Sequence, residues 1–188
     1  MALENSLNQD IYREKVTLSD SEKQQLVMQL ASASHQDFLE QNNKKNPDGS
    51  WVPRLRPLKP GDEEWTSQHP DKVKDGKIDI ALNDISQLSP GWQKENVDAA
   101  RHAIDFVADY VGRGEKTNTT VFETEGGIAI HEAWKARRVA DGTAEDPYNK
   151  KNMGSFASLP EDEQKKDVDK LRMAVRGIEN YIRQHGKN

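Results

Sequence analysis

Part of this chain is written twice. Ile85-Ser86-Gln87-Leu88-Ser89-Pro90-Gly91-Trp92-Gln93-Lys94-Glu95-Asn96-Val97 aligns with Phe156-Ala157-Ser158-Leu159-Pro160-Glu161-Asp162-Glu163-Gln164-Lys165-Lys166-Asp167-Val168 at a constant offset of 71 residues, without a gap as far as Tyr110 and Tyr181. The apolar set Val97, Ala100, Ile104, Val107, Val111 maps onto Val168, Leu171, Val175, Ile178, Ile182. Both sets keep the spacing of one helical face. A unit of this size buries its apolar face poorly alone, and two copies can bury theirs on each other.

Composition narrows the function classes. The 188 residues suffice for one ordinary domain or two small intimate halves. Hydrophobic content of 34% against 31% charged implies a modest core with polar ends or loops. A formal net charge of −5 weighs against a sequence-independent grip on nucleic acid, which needs a basic surface. The absence of cysteine excludes disulfides, thiolate catalysis and cysteine-ligated zinc, and fits a reducing compartment. No apolar run approaches the length of a membrane span, and Met1–Lys15 lacks the apolar region of a secretory signal. The expectation is a cytoplasmic protein with no membrane partner.

Residues 1–15 read as a loose polar arm. Ser19-x-x-Glu22 is a capping box that opens a helix carrying Leu26, Val27, Leu30, His35, Phe38 and Leu39, stopped by Asn46-Pro47-Asp48-Gly49. Residues 43–76 are rich in Pro, Gly and charge; their prolines bar a long helix, and Trp51 and Trp65 argue for an ordered loop. Lys77–Ala81 alternates polar and apolar, as a short strand or an extended entry to Leu82–Leu88. Ser89 as N-cap and Pro90 as first helical residue start a second helix that runs to about Val111, where Gly112 and Gly114 end it. A third helix is expected over about 125–140, ended by Asp141-Gly142. Ser158-x-x-Glu161 is a second capping box, opening the last helix to about Gln184. The expected fold is all-α, with helix–loop–helix written twice: residues 16–112 with the long loop 43–76, then the compact 113–188. His35-x-x-Phe38 anchors the first copy and His131-x-x-Trp134 the second.

The second copy carries a pattern of its own. His131-Glu132-Ala133-Trp134, Arg137-Arg138, Gly142, Pro147-Tyr148, then Phe156-x-x-Leu159-Pro160-x-x-Glu163-x-x-x-Asp167 resembles the ryanodine receptor repeat, or RyR domain. The resemblance covers about 124–183 well and 30–111 more weakly. The first copy has Gln36 for the Glu, Phe38 for the Trp, and a loop longer by about 25 residues. In the large calcium-release channels such repeats are cytoplasmic appendages, and similar domains occur in small bacterial and phage proteins. The resemblance implies two helix pairs related by a pseudo-two-fold. It also implies a non-enzymatic binding or sensor module for a nucleotide-like ligand in the cleft between the repeats, and it brings no catalytic residues.

Candidate chemistry is sparse. A zincin needs a second histidine four residues after His131, and position 135 is Lys. The histidines at 35, 69, 102, 131 and 185 show no ligand spacing, so neither metal nor cofactor is implied. His131 and Trp134 share a helical face, with Arg137 and Arg138 within a turn. One reading makes Trp134 core and His131 a buried, hydrogen-bonded histidine. The other makes an arginine fork beside an aromatic plate, suited to an anionic group on a ring. Arg54 and Arg56 alternate along an extended stretch, to one side of it, or else pair with Asp62-Glu63-Glu64. The candidate ligand-binding set is therefore His131, Glu132, Trp134, Arg137 and Tyr148, with His35, Arg54, Arg56 and Trp65 as the quasi-equivalent side. Two other readings stay open: a module for protein interaction or homodimerisation, and an enzyme acting on a nucleotide-like substrate.

Overall fold

A computed structural model of the chain describes residues 18–185; the N-terminal arm expected at 1–15 lies outside them. In chain order the elements are α1 (Asp20–Asn42), β1 (Leu55–Pro57), α2 (Glu63–Gln68), β2 (Val73–Lys74), β3 (Lys77–Asp79), α3 (Pro90–Gly112), α4 (Thr120–Ala140), α5 (Pro147–Lys150) and α6 (Glu161–His185). One-turn 3-10 helices at Ile85–Gln87 and Phe156–Ser158 precede α3 and α6. The fold is mostly helical, with one correction to the all-α expectation. The segment 43–76 supplies two strands of a small antiparallel sheet of order β1-β3-β2. Leu55 pairs with Asp79, Arg56 with Ile78 and Lys74 with Lys77. Asp75 and Gly76, at φ 52° and 68°, make the two-residue β2–β3 turn. Positive φ at both positions defines the turn that matches strand twist.

The chain divides into two compact units. The larger holds residues up to Leu30 and from Ala99 onward; the smaller is Ala31–Asp98. Both boundaries fall inside helices, α1 and α3.

In the larger unit part of the apolar stripes read from the sequence is core, while Val168, Val175 and Ile182 are only half-buried. Leu26, Val27 and Leu30 of α1, Ala100, Ile104 and Val107 of α3, Phe122 and Ile130 of α4, and Leu171, Ala174 and Ile178 of α6 are all buried. Phe106, Tyr110 and Phe122 form an aromatic cluster with ring centroids 5.0–5.8 Å apart. A glycine pair sets how close α4 lies to its neighbours. A Cβ on Gly126 would stand 2.4 Å from Leu171 Cδ1, and one on Gly127 would stand 2.4 Å from the Phe156 ring.

In the smaller unit Ala31 and Leu39 of α1 are buried along with Ile78, Ile80, Ala81, Ile85 and Leu88. The loop Lys59–Asp62 is tied to the start of α3. Asp62 is fully buried, and its carboxylate accepts the Lys59 and Gly91 amides, each at 2.8 Å. Trp92 Nε1 donates to Pro57 O at 3.2 Å, and the buried Lys59 ammonium lies 5.0 Å from the Trp92 ring centroid and 3.6 Å from Glu95.

Several helix ends follow capping rules, and two expected serine caps do not form. Ser19 and Glu22 form the expected capping box, Ser19 N–H to Glu22 at 2.6 Å and Glu22 N–H to Ser19 Oγ at 3.3 Å. Gly114 and Gly142 close α3 and α4 in the left-handed conformation, with paired backbone bonds from Glu115 to Tyr110 and from Thr143 to Arg138. Helix α4 starts at Thr120, about five residues before the expected start, because Thr119 accepts the Phe122 amide at 3.1 Å. The first exception is Ser158, which does not cap α6: its hydroxyl donates back to Ser155 O at 2.7 Å. The second is Ser89, whose carbonyl accepts the Gln93 amide at 2.8 Å while its buried hydroxyl has no hydrogen-bond partner among the described residues. Asp62, distant in sequence, takes the capping role.

Candidate functional site

The candidate residues fall into two groups, one in each unit. In the larger unit His131 is 2% exposed. Its Nε2 donates to Gly154 O at 3.0 Å, fixing the tautomer and tying α4 to the loop before α6. Its Nδ1 faces Asp167 Oδ2 of α6 at 3.7 Å, beyond hydrogen-bond range. Its ring stacks on Trp134, with centroids 5.7 Å apart and planes 18° apart, and lies 6.2 Å from Phe156. Trp134 is half-buried, and the Arg138 guanidinium lies 5.8 Å from its ring centroid while pairing with Asp141 at 3.5 Å.

Asp167 is the group sequence reasoning left out of the site. Burial pushes its carboxyl above the ordinary range, against the pull of Lys170, His131 and Arg137, with Glu163 adding to the rise. His131, stacked on Trp134, thus faces a desolvated carboxyl that also feels the charges of Lys170 and Arg137. The signal was available: positions 163, 167 and 170 share one face of α6. Glu132 is not part of this group. One residue on from His131 it turns about 100°, is exposed, and accepts from Lys135 at 2.9 Å. Tyr148 falls in α5, and its side chain lies outside the described residues.

The other candidates lie in the smaller unit. His35 is buried, and its Nε2 donates to Leu82 O at 2.7 Å in the loop before α3. Gln36 donates to Asn83 O beside it. Arg54 lies over Phe38, its guanidinium 4.6 Å from the ring centroid. One Asp79 carboxylate oxygen accepts from Arg54 N at 2.8 Å and from Ala81 N at 2.9 Å, and Arg54 O receives the Ile80 amide at 3.0 Å. These bonds lock the β1–β3 end beneath the arginine. Arg56 donates to Leu55 O at 3.0 Å. Trp65 instead stacks on His69 at 4.5 Å, and His69 Nδ1 donates to Trp65 O at 2.9 Å, a local pair on α2.

The match between units extends to the turns that follow. Ile85 and Phe156 each open a 3-10 turn, Leu88 and Leu159 each end it in extended conformation, and Gln93 and Gln164 donate to Leu88 O at 2.7 Å and Leu159 O at 2.8 Å. Among the described residues no helix is long and apolar enough to cross a membrane. No protein-family model matches the chain, and no curated protein or solved structure matches it significantly.

Proposed function

We propose that the protein is a non-enzymatic binding module made of two RyR-like helix pairs. Its ligand would be a small anionic, ring-bearing molecule of nucleotide type, held where α4 meets α6. The observation that carries this reading is His131 stacked on Trp134 and facing Asp167 at 3.7 Å, a carboxyl that also feels the charges of Lys170 and Arg137. A guanidinium and an ammonium attract a phosphate, and an indole stacks with a flat ring. Two features favour binding over catalysis. His131 Nε2 is committed to a backbone carbonyl, and the 3.7 Å to Asp167 is too long for the imidazole–carboxylate bond that orients a general base. The two-pair architecture is supported by the matched histidine–carbonyl bonds, arginine–aromatic contacts and Gln-to-Leu bonds of the two units.

Thermal unfolding with nucleoside mono-, di- and triphosphates, and with inorganic phosphate as control, tests the reading. A ligand at ten times its dissociation constant stabilises by about 1.4 kcal/mol, a rise of about 3–5 °C in midpoint for a chain of this size. Arg137→Ala and Lys170→Ala should each abolish the rise. No shift at millimolar ligand, or a shift that both variants keep, overturns the assignment.

A further inference from the structure

Helix α4 has two faces, and only one is accounted for. Phe122, Gly126, Gly127, Ile130, His131 and Arg138 face the interior of the larger unit. At about 100° per residue, Val121 and Val139 coincide in angle on the opposite side, with Ile128 about 20° away. Their exposures are 59%, 64% and 44%, so three β-branched apolar side chains line a solvent stripe about 27 Å long. Glu125, Glu132 and Lys135 lie within about 40° of the same line. Directly opposite a core, a helix normally carries polar residues.

The charges on the stripe select its occupant. Laid antiparallel on a second copy of itself, with the two-fold axis at the level of Ile130, the stripe is self-complementary. Val121 meets the partner subunit's Val139, Glu125 meets the partner subunit's Lys135, and Ile128 stands beside the axis, level with the partner subunit's Glu132. Laid parallel about a two-fold, Glu125 would meet Glu125 and Lys135 would meet Lys135, and like charges in register repel. A two-fold contact uses the same patch on both copies, each pairing occurring twice, and of the two orientations the antiparallel one sets opposite charges at 125 and 135 against each other.

We propose that the outer face of α4 is a homodimer interface, formed by antiparallel α4–α4 packing through Val121, Ile128 and Val139 and keyed by Glu125–Lys135 pairs. This is independent of any ligand at the α4–α6 site, whose residues lie on the inner side. With three apolar residues per copy the contact is small, so the dissociation constant is on the order of 100 μM.

Sedimentation of the chain over a concentration series decides it. Wild type should move from monomer toward twice the mass as concentration passes that range. Glu125→Lys and Lys135→Glu should each weaken association at least about tenfold. The double variant should restore it, and an equimolar mixture of the single variants should form a heterodimer. The Lys135–Glu132 contact within a chain is lost equally in Lys135→Glu and in the double variant, so restoration isolates the contact between copies. Wild type monomeric throughout, a dimer indifferent to both reversals, or a double variant that stays monomeric would each overturn the proposal. Circular dichroism confirms that the variants fold.

Discussion

Asp62 caps Gly91: a fully buried carboxylate, supplied from 29 residues upstream, accepts the first N–H of α3 at 2.8 Å while its other oxygen holds the Lys59 amide. The helix start and the proline-rich segment thereby become one unit. Asp62→Ala leaves two buried donors unsatisfied and should destabilise by about 2–3 kcal/mol. Gly91→Ala should also destabilise, since the new methyl would stand 2.3 Å from Lys59 Cβ. Denaturant unfolding measures both, and a change below about 0.5 kcal/mol for either would contradict the cap.

Gly127→Ala sets helix propensity against packing. Propensity alone would gain up to about 1 kcal/mol. The 2.4 Å approach to the Phe156 ring should reverse the sign, to a net loss of about 1–3 kcal/mol. Gly127→Ala paired with Phe156→Leu should recover part of the loss, which equilibrium unfolding of the three variants would show.

Acid stability should report on Glu22. Hydrogen bonds from Tyr181 and Ser19 hold its carboxyl at about 2, below the ordinary 4.5. A depressed folded value contributes stability that is complete above the unfolded value and is lost as pH falls from about 4.5 toward 2. Glu22→Gln and Tyr181→Phe should lower the melting temperature at pH 7, and the gap from wild type should close between those limits. A gap that stays constant to pH 2 would remove Glu22 from the account.

The opposite sign applies to Asp167. Burial raises its folded value, so the folded state favours the protonated form and ionisation opposes folding. The penalty is absent below the unfolded value of 3.8 and grows as pH rises through the folded one. Asp167→Asn should therefore stabilise at pH 7, with the gain vanishing in acid. Destabilisation at pH 7 would mean that attraction to Arg137, Lys170 and His131 outweighs burial.

Thr119→Ala should destabilise by about 1 kcal/mol through loss of the α4 cap, whereas Ser158→Ala, whose hydroxyl only bonds back within its turn, should cost less. Melting temperatures of the pair would rank them.

The Thr119 and Ser158 contrast shows where the sequence was legible. Long apolar periods gave α1, α3 and α6, and Ser19-x-x-Glu22 marked the first start as found. Ser158-x-x-Glu161 carries the same letters, yet the intervening Leu159-Pro160 keeps the chain extended and α6 begins beyond it. The start of α4 was missed because Gly126-Gly127 interrupts the apolar period, and those glycines are there for packing. The β2–β3 hairpin was signalled by Asp75-Gly76, but strands of two or three residues give too little alternation to notice. Of the site, His131 and Trp134 were legible as a pair sharing one face. For Asp167 the sequence offered only a shared face with Glu163 and Lys170; its approach to His131 depends on which faces of α4 and α6 meet.

The smaller unit enters through one helix and leaves through another. Its limits at Leu30–Ala31 and Asp98–Ala99 fall inside α1 and α3. Cutting a helix there would orphan about four carbonyls on one side and four amides on the other. Excising or grafting this unit would therefore create two new pairs of helix ends, each needing caps the sequence does not carry. A boundary of the 31–98 segment that respects the backbone would lie outside α1 and α3, at the helix ends the chain already caps.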